Sequence, residues 1–306
     1  MRAAVVEAAA QAAVTELEPP EPGPEEVLVR LEGCGVCGSD VPLFEGRPWF
    51  EYPAEPGAPG HEGWGIVEKV GRAVTRPKAG TRVAALSYRA YAELDLAAAD
   101  QVTPLPAAVD GIPFPGEALG CAVNVFRRSG VQAGQRVGVV GVGFLGALLV
   151  QLAARAGAEV VAVSRRPSAL DVARRFGAAD VMRLGEQDLE DCDRVIEAAG
   201  KQETIDAAAR MTRTRGRLVI AGFHQDGPRT VDMQLWNWRG LDVVNAHERD
   251  PRVYVDAIRE AARMVAEGEL DPRPLFTHVF PLERIGEALA SVSKRPDGFM
   301  KALVVP

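Results

Sequence analysis

The 306-residue sequence has little of what several specialised classes of protein require. No run of residues approaches the roughly 18 consecutive apolar side chains of a membrane-spanning helix. The four cysteines, Cys34, Cys37, Cys121 and Cys192, are too few and too scattered for a disulfide framework. The net charge of -7 provides no basic excess for a nucleic-acid surface. We therefore expect no membrane and no nucleic acid as partners.

The composition that remains is that of a globular protein. The chain is 47% hydrophobic and 25% charged, and it contains no sustained polar tract that would indicate disorder. Its length suits two domains better than one. The first residues, MRAAVVEAAA, carry one positive charge and no long apolar core, so we expect no secretory signal and a cytoplasmic location.

The chain has two regions with different sequence patterns. Up to about residue 116, short valine-containing runs such as EEVLVRLEG and GTRVAAL alternate with Pro and Gly, which predicts a β-rich domain. From about residue 117, strand-like and helix-like segments alternate, as in RVGVVG, GFLGALLVQLAARAG, AEVVAVS and PSALDVARRFG. This second pattern predicts an α/β domain with a doubly wound parallel sheet of the Rossmann type.

The segment GCGVCGSD contains a CxxC pair, Cys34 and Cys37, and GAPGHEGWG places His61 beside Glu62. A thioredoxin-like redox pair would need a helix beginning at the first cysteine, but three glycines in eight residues favour a loop. A closed structural zinc site would need four Cys or His ligands, and no second CxxC is present. The pattern therefore favours an open metal site that takes ligands from elsewhere in the chain.

The hexapeptide GVGFLG is a GxGxxG motif with Gly141, Gly143 and Gly146. It follows an apolar strand-like run and opens a helix-like segment, which is the context that dinucleotide binding requires. The first two glycines would allow a tight turn and the approach of a pyrophosphate, and the third would allow close helix packing. A glycine-rich turn in an ordinary βα unit is the alternative. We expect a dinucleotide here, with Phe144 and Leu145 beside it.

The end of the next strand decides which dinucleotide is expected. A carboxylate there would bind the ribose 2′-hydroxyl of NAD, but this chain has Ser164 followed by Arg165 and Arg166. Two guanidinium groups suit a 2′-phosphate, so we expect NADP(H) rather than NAD(H). The alternative is that both arginines are merely solvated.

These motifs together resemble the zinc-dependent medium-chain dehydrogenase/reductase superfamily of the alcohol and sorbitol dehydrogenase type. The resemblance is carried, in order, by GCGVCGSD, PGHEGWGIVEKVG, GTRVA, GVGFLG and THVFPLERIGEALA, and it covers nearly the whole sequence. It implies a GroES-like catalytic domain formed by residues 1–116 and 272–306, with a Rossmann domain over 117–271 between them.

The resemblance also implies the metal ligands. Cys37 and His61 match the family's catalytic zinc ligands, and the third ligand falls on Glu117 when GEALGCAVNV is aligned without a gap. Cys121 then takes an ordinary packing position, and packing is also expected for Cys34. Glu62 resembles a glutamate that ligates the metal or exchanges with its water.

Two departures from the family pattern stand out. Many relatives carry four closely spaced cysteines in a structural-zinc lobe, whereas here GTRVAALSYRAYAEL continues without a cysteine, which implies one zinc per chain. Relatives also often carry a relay histidine three residues after the serine that contacts the substrate. Here Ser39 is present, but Pro42 occupies the relay position. The proton route would then use Asp40, Glu62, the cofactor ribose or water.

The resemblance implies a zinc-dependent alcohol dehydrogenase that moves hydride between NADP(H) and a small secondary alcohol or ketone, acting as a homodimer or homotetramer. Polar residues in the loop EGRPWFEYP, Glu45, Arg47 and Glu51 with Trp49, favour a polyol or sugar-like substrate, an ordinary solvated loop being the alternative. His247 follows the last Rossmann strand and is expected near the nicotinamide, an exposed loop histidine being the alternative. The open alternatives are a zinc-free quinone or enone reductase and a non-catalytic NADPH-binding protein.

Overall fold

The computed structural model describes residues 1–186 and 188–306 and has a mixed α/β architecture. The longest described helix has 16 residues, and no described helix combines the length and apolarity needed to cross a bilayer. The strands are β1 Arg2–Ala8, β2 Gln11–Glu16, β3 Glu26–Gly35, β4 Glu62–Val70, β5 Arg82–Ala85, β6 Leu94–Ala98, β7 Val102–Pro104, β8 Arg136–Val140, β9 Glu159–Ser164, β10 Asp180–Arg183, β11 Cys192–Glu197, β12 Thr212–Ile220, β13 Asp242–Asn245, β14 Phe276–Pro281 and β15 Lys301–Val305. The helices are α1 Val41–Phe44, α2 Gly116–Ser129, α3 Phe144–Arg155, α4 Pro167–Arg175, α5 Gln202–Met211, α6 Met233–Arg239, α7 Pro251–Ala266 and α8 Ile285–Lys294.

The chain forms two compact units. One contains Met1–Gly120 together with Asp250–Pro306, and the other contains Cys121–Arg249. These limits differ from the domain limits expected from the sequence, because the expected second domain ran on to residue 271. The reason is α7, which packs against β7 and against the short turns around it in the first unit. Its Ile258 lies so close to Gly120 that a side chain on that glycine would contact it at 2.8 Å.

The first unit is β-rich, as the valine-containing runs predicted. Its main sheet has the order β14-β15-β3-β4-β5-β7, with β6 paired to β3, and its neighbours are antiparallel except for β14 and β15. A separate antiparallel pair joins β1 and β2. Apolar side chains from β3, from α1 and from α8 share one buried core, which fixes the loops that follow β3.

The second unit contains a six-stranded parallel sheet of order β10-β9-β8-β11-β12-β13. Its central strands are almost completely buried, since helices cover both faces, and this explains their continuous valine runs. The order reverses between β8 and β11, which is the switch point at which such sheets bind nucleotides. The predicted Rossmann class is therefore confirmed.

Three described elements had no clear signal in the sequence. Strand β10 is a short edge strand with no buried residue, and α6 likewise buries none of its seven residues. Strand β2 is only partly buried and pairs with β1 alone. Each lacks the apolar periodicity on which such predictions depend, because each packs little of its surface into a core.

Candidate metal centre and dinucleotide site

The structure brings Cys37, His61 and Glu62 into one cluster. Their ligand atoms, the thiol sulfur, an imidazole nitrogen and a carboxylate oxygen, all lie within 4.8 Å of one another. Cys37 follows β3 at the start of the turn over Gly38–Asp40, while His61 precedes β4 and Glu62 begins it. Because β3 and β4 are neighbouring antiparallel strands, the end of one meets the beginning of the other. The sheet register therefore joins two segments that lie more than twenty residues apart.

His61 is oriented by the groups around its Nδ1 atom. This nitrogen lies 2.8 Å from the carbonyl oxygen of Pro59 and 3.3 Å from Oδ1 of Asp40. The buried Asp40 also accepts hydrogen bonds from the Cys37 backbone N–H at 2.9 Å and from the Tyr91 hydroxyl at 2.5 Å, both at Oδ2. Burial alone would lower the pKa of His61, but the Asp40 carboxylate and the Cys37 sulfur raise it well above its ordinary value. With Nδ1 engaged, Nε2 is the nitrogen available to a metal.

Glu62 forms a buried ion pair with Lys301. The Lys301 Nζ atom donates to Oε1 at 2.6 Å and lies 2.5 Å from Oε2, and neither side chain is more than marginally exposed. Burial alone would lower the pKa of Lys301, but the charges of Glu62 and Cys37 raise it. A charged residue at the head of the apolar strand KALVV was the available sequence signal for this pair, and the sequence analysis missed it.

Glu117 lies in the first turn of α2, close enough to interact electrostatically with His61 and Glu62. Burial raises the pKa of Glu117 to about 7, and the charge of His61 opposes that rise. Its carboxylate is not part of the tight three-residue cluster. Cys121, one turn further on, packs against an apolar cluster of the second unit. Cys34 belongs to the core of the first unit.

The groups that the sequence analysis expected to meet a substrate lie in the segments that follow Cys37. Ser39 is half-buried in the turn after Cys37, and Pro42 is buried in α1. In the following loop, Glu45 accepts a hydrogen bond from Ser293 at 2.6 Å, while Arg47, Trp49 and Glu51 are exposed or nearly so. The structure adds one residue that sequence reasoning missed. The exposed ring of Tyr88 lies 6.4 Å from the ring of His61.

The glycine-rich turn between β8 and α3 is shaped by steric constraints. Gly141 has φ +99°, and a Cβ there would also collide with Ala199. A Cβ on Gly146 would overlap the carbonyl oxygen of Gly141. At Gly143, which caps α3, a Cβ would meet no protein atom within 4 Å. Two glycines are therefore required by the fold, whereas the third faces open space in which a phosphate could approach the backbone.

The residues expected to select the cofactor lie at the end of β9. Ser164 is buried, and its Oγ accepts the backbone N–H of Arg166 at 3.3 Å. The Arg166 side chain turns back to the glycine motif and donates to the carbonyl of Val142 at 3.2 Å. Arg165 is 70% exposed and lies 3.4 Å from the Glu203 carboxylate. The two arginines therefore differ: one is held against the turn and the other is on the surface.

A second buried carboxylate, Glu197, stands at the end of β11. Its Oε1 accepts hydrogen bonds from the backbone N–H groups of Ala199 and Gly200 and from the Thr204 hydroxyl, at 2.7 to 2.8 Å. Its Oε2 lies 2.8 Å from Nε2 of His224, in the loop after β12. Sequence reasoning did not find this pair, although Glu197 ends one parallel strand and His224 follows the carboxyl end of the next. His247, after β13, is exposed, and its ring lies 3.4 Å from the Gln225 amide.

Both arrangements fit the groups that the sequence suggested. A thiolate, an imidazole and carboxylates form a donor set typical of catalytic zinc, and the carboxylate of Asp40 behind a histidine is the usual support for such a ligand. The turn at Gly143 offers backbone N–H groups at a helix N-terminus beside open space, which fits a pyrophosphate.

Comparison with known proteins identifies the class. Residues 23–151 match the model of the alcohol dehydrogenase GroES-like domain, and residues 145–266 match that of the zinc-binding dehydrogenases. The chain belongs to the zinc-type medium-chain dehydrogenase/reductase family, as its sequence motifs indicated, and it is an oxidoreductase of the alcohol and polyol dehydrogenase kind.

Individual relatives are distant but extend over nearly the whole chain. Human sorbitol dehydrogenase is 29% identical, covering 90% of this chain and 88% of that protein. The 2-dehydro-3-deoxy-L-galactonate 5-dehydrogenase of Pseudoalteromonas atlantica is 28% identical over 91% of both chains. A protein of Sinorhizobium meliloti 1021 solved as a zinc-binding dehydrogenase bound to NADP superposes with a TM-score of 0.85 at 28% identity, covering 100% of this chain and 99% of that one.

Proposed function

We propose that this protein is a zinc-dependent dehydrogenase that transfers hydride between NADP(H) and a small secondary alcohol or ketone, of the polyol or sugar-acid kind. The observation that carries the proposal is the convergence of Cys37, His61 and Glu62, with Glu117 within electrostatic range. Relatives named as sorbitol and 2-dehydro-3-deoxy-L-galactonate dehydrogenases support the substrate class, and the NADP-bound structure supports the cofactor.

Cys37, His61 and Glu117 would hold the zinc, with Glu62 able to approach it. Bound there, zinc would act as a Lewis acid on the substrate oxygen, and NADP⁺ would accept the hydride in the oxidative direction. Ser39 would accept the proton that leaves the alcohol hydroxyl. Pro42 cannot pass that proton on, so it would leave by Glu62, the cofactor ribose or water. Asp40 is a poorer candidate because its carboxylate already accepts hydrogen bonds from Cys37 and Tyr91.

Two features of the first unit support a hydroxylated substrate. Glu45 and Arg47 offer charged groups on one loop, and their side chains lie 3.5 Å apart. The exposed ring of Tyr88 near His61 offers a flat apolar face on which the C–H side of a polyol could pack. A substrate with several hydroxyls would use both kinds of surface, whereas a simple apolar alcohol would form no hydrogen bonds with the charged groups.

Elemental analysis combined with turnover tests this proposal. We expect about one zinc per chain and reduction of NADP⁺ with a member of a panel of polyols and sugar acids. Glu117→Ala should lower both zinc occupancy and turnover, while the neighbouring variant Cys121→Ala should change chiefly stability. His278→Ala, which removes a half-buried histidine of β14 that is not in the metal cluster, serves as the control for adventitious zinc.

The contrary outcomes identify the alternatives. Two zinc ions per chain would contradict the single metal site, and retention of zinc by Glu117→Ala with its loss from Cys121→Ala would reverse the ligand assignment. Absence of zinc together with reduction of enones or quinones would indicate the zinc-free reductases. NADPH binding without turnover of any substrate would indicate a non-catalytic binding protein.

A further inference from the structure

The pair Glu197 and His224 lies at the edge of the sheet where a dinucleotide would bind. In the parallel pairing of β11 and β12, Glu197 at the end of β11 is opposite Ile220 at the end of β12. Because His224 lies in the loop that follows Ile220, Glu197 and His224 are at the same edge of the sheet. The loop after Glu197 borders the glycine turn, since a Cβ on Gly141 would lie 2.6 Å from that of Ala199. The pair is therefore a neighbour of the turn expected to bind the pyrophosphate.

The sheet order indicates which half of the cofactor would lie there. The switch point separates β8 and β9 on one side from β11 and β12 on the other. Ser164, at the end of β9, is on the side expected to take the adenosine ribose. With the pyrophosphate at the turn between them, the nicotinamide half would extend over the ends of β11 and β12. This assignment rests on the proposed nicotinamide cofactor.

Glu197 fixes the tautomer of His224. Burial alone would raise the pKa of Glu197, but hydrogen bonds from His224, Thr204 and two backbone N–H groups hold it below its ordinary value. The ionised carboxylate accepts a hydrogen bond from Nε2–H of His224 at 2.8 Å. A neutral imidazole that donates through Nε2 has an acceptor lone pair on Nδ1.

That acceptor has no partner in the part of the chain that the structure describes. The Nδ1 atom of His224 is buried and receives no hydrogen bond there. On the other side of the pair the backbone approaches closely, because a Cβ on Gly222 would lie 2.5 Å from Oε2 of Glu197. A buried acceptor without a donor is costly, and the atom that best meets this one is a hydroxyl from outside the protein.

We propose that His224, held in its Nε2–H tautomer by Glu197, binds a hydroxyl of the nicotinamide-side ribose through Nδ1. The contact would place this ribose, and with it the nicotinamide ring, relative to the second unit's sheet. His224 is thus a binding residue for the cofactor, and Glu197 is a positioning residue that acts through it.

Two matched variants distinguish the roles of the two ring nitrogens of His224. His224→Gln keeps an N–H donor near the Nε2 position, so Glu197 stays paired, but it removes the acceptor at Nδ1. His224→Asn keeps an acceptor near Nδ1 but leaves Oε2 of Glu197 without the donor that His224 supplies. We expect His224→Gln to keep the unfolding midpoint and weaken ribose binding, and His224→Asn to lower the midpoint and keep much of the binding.

Binding is measured by titration with three compounds: NADPH, 2′-phospho-ADP-ribose, which lacks the nicotinamide, and adenosine 2′-phosphate 5′-diphosphate, which also lacks the second ribose. If the unmodified protein binds NADH more tightly than NADPH, the unphosphorylated counterparts are used. His224→Gln should weaken the first two by about threefold to tenfold, the effect of one neutral hydrogen bond, and leave the third unchanged.

Three other binding results would each overturn the proposal. Equal weakening of all three compounds would mean that the substitution disturbs the fold. Weakening of NADPH alone would move the contact from the ribose to the nicotinamide amide, and no change in any would remove His224 from the site. A protein that binds the compounds as expected but lacks zinc or turnover would contradict the proposed function and leave this inference standing.

Discussion

Glu62 and Glu197 are both completely buried carboxylates, one in each unit, and the protein stabilises them differently. Glu62 is paired with a single buried cation, Lys301. Among the residues that the structure describes, Glu197 has no lysine or arginine partner, but it accepts hydrogen bonds from two backbone N–H groups, from Thr204 and from His224. The first arrangement depends on one residue, whereas the second spreads the stabilisation over several donors.

The difference extends to the two candidate sites. The metal cluster consists of charged and ionisable side chains that support one another, with Asp40 behind His61 and Lys301 behind Glu62. The dinucleotide turn depends instead on backbone groups and on the absence of side chains at Gly141 and Gly146. We therefore expect the first site to be sensitive to loss of charge and the second to addition of atoms.

The largest effect should come from Lys301→Met. Removing one partner of a buried ion pair leaves the other charge uncompensated and costs about 3–5 kcal/mol of unfolding free energy. Lys69→Met is the matched control, because Lys69 pairs with Glu21 at 2.7 Å on the surface, where water screens the pair and its loss should change stability little. Urea unfolding of the metal-free protein measures both. Equal costs for the two variants would show that Glu62 does not depend on its lysine.

The next largest effect should be on the preference for NADPH over NADH. In contrast to the glycine turn, this preference should depend on side-chain charge. Arg165→Ala or Arg166→Ala should weaken NADPH by about tenfold to a hundredfold, since a hydrogen bond to a charged group contributes about 1.5–3 kcal/mol. NADH binding should barely change, and Ser164→Asp should shift the preference towards NAD(H). Nicotinamide fluorescence at fixed ionic strength measures both cofactors.

Arg174→Ala is the control for that experiment, because Arg174 is an exposed arginine of α4 that pairs with Asp171. It should leave both affinities unchanged. Tighter binding of NADH than of NADPH by the unmodified protein would refute the preference and return Arg165 and Arg166 to solvated surface charges.

The glycine turn should separate folding from binding. Gly146→Ala places a methyl group against the Gly141 carbonyl, which backbone atoms cannot easily accommodate, so we expect a loss of about 1–3 kcal/mol in stability. The methyl group of Gly143→Ala would contact no atom of the described residues, so this variant should leave the unfolding midpoint nearly unchanged. It should weaken the binding of NADPH. Circular dichroism and cofactor titration test the pair. Tight NADPH binding by Gly143→Ala would show that the phosphate does not approach that backbone.

The smallest effect should be the dependence of stability on acidic pH. The pKa of Glu197 is lowered in the folded protein from an ordinary value of 4.5, so its ionised form stabilises the fold above about that pH. This contribution should be lost as the pH falls through the folded pKa. The stability difference between the unmodified protein and Glu197→Gln should therefore be constant near neutral pH and shrink in acid. A difference that grew in acid would contradict the lowered pKa.

Much of this protein followed from local sequence patterns. The valine runs, the alternation of strands and helices and the GxGxxG context predicted both sheets, and CxxC with GHE pointed to the segments that the structure joins at Cys37 and His61. These signals work because strand burial and turn geometry are encoded over a few residues. The compact units do not end at the limit near residue 271 that the sequence led us to expect, and the reason is the opposite one. Helix α7 has an ordinary amphipathic pattern, and only its packing places it in the first unit.

The supporting residues were decided by tertiary structure alone. Lys301 lies 239 positions from Glu62 along the chain, and His224 lies 27 positions from Glu197. No short-range pattern relates such residues, because their pairing arises from strand order and from loops that meet at one edge of a sheet. The sequence by itself therefore determined the family, the two kinds of sheet and the candidate ligands. The fold determined which buried charges compensate one another, since that depends on distances in space and not on spacing in the chain.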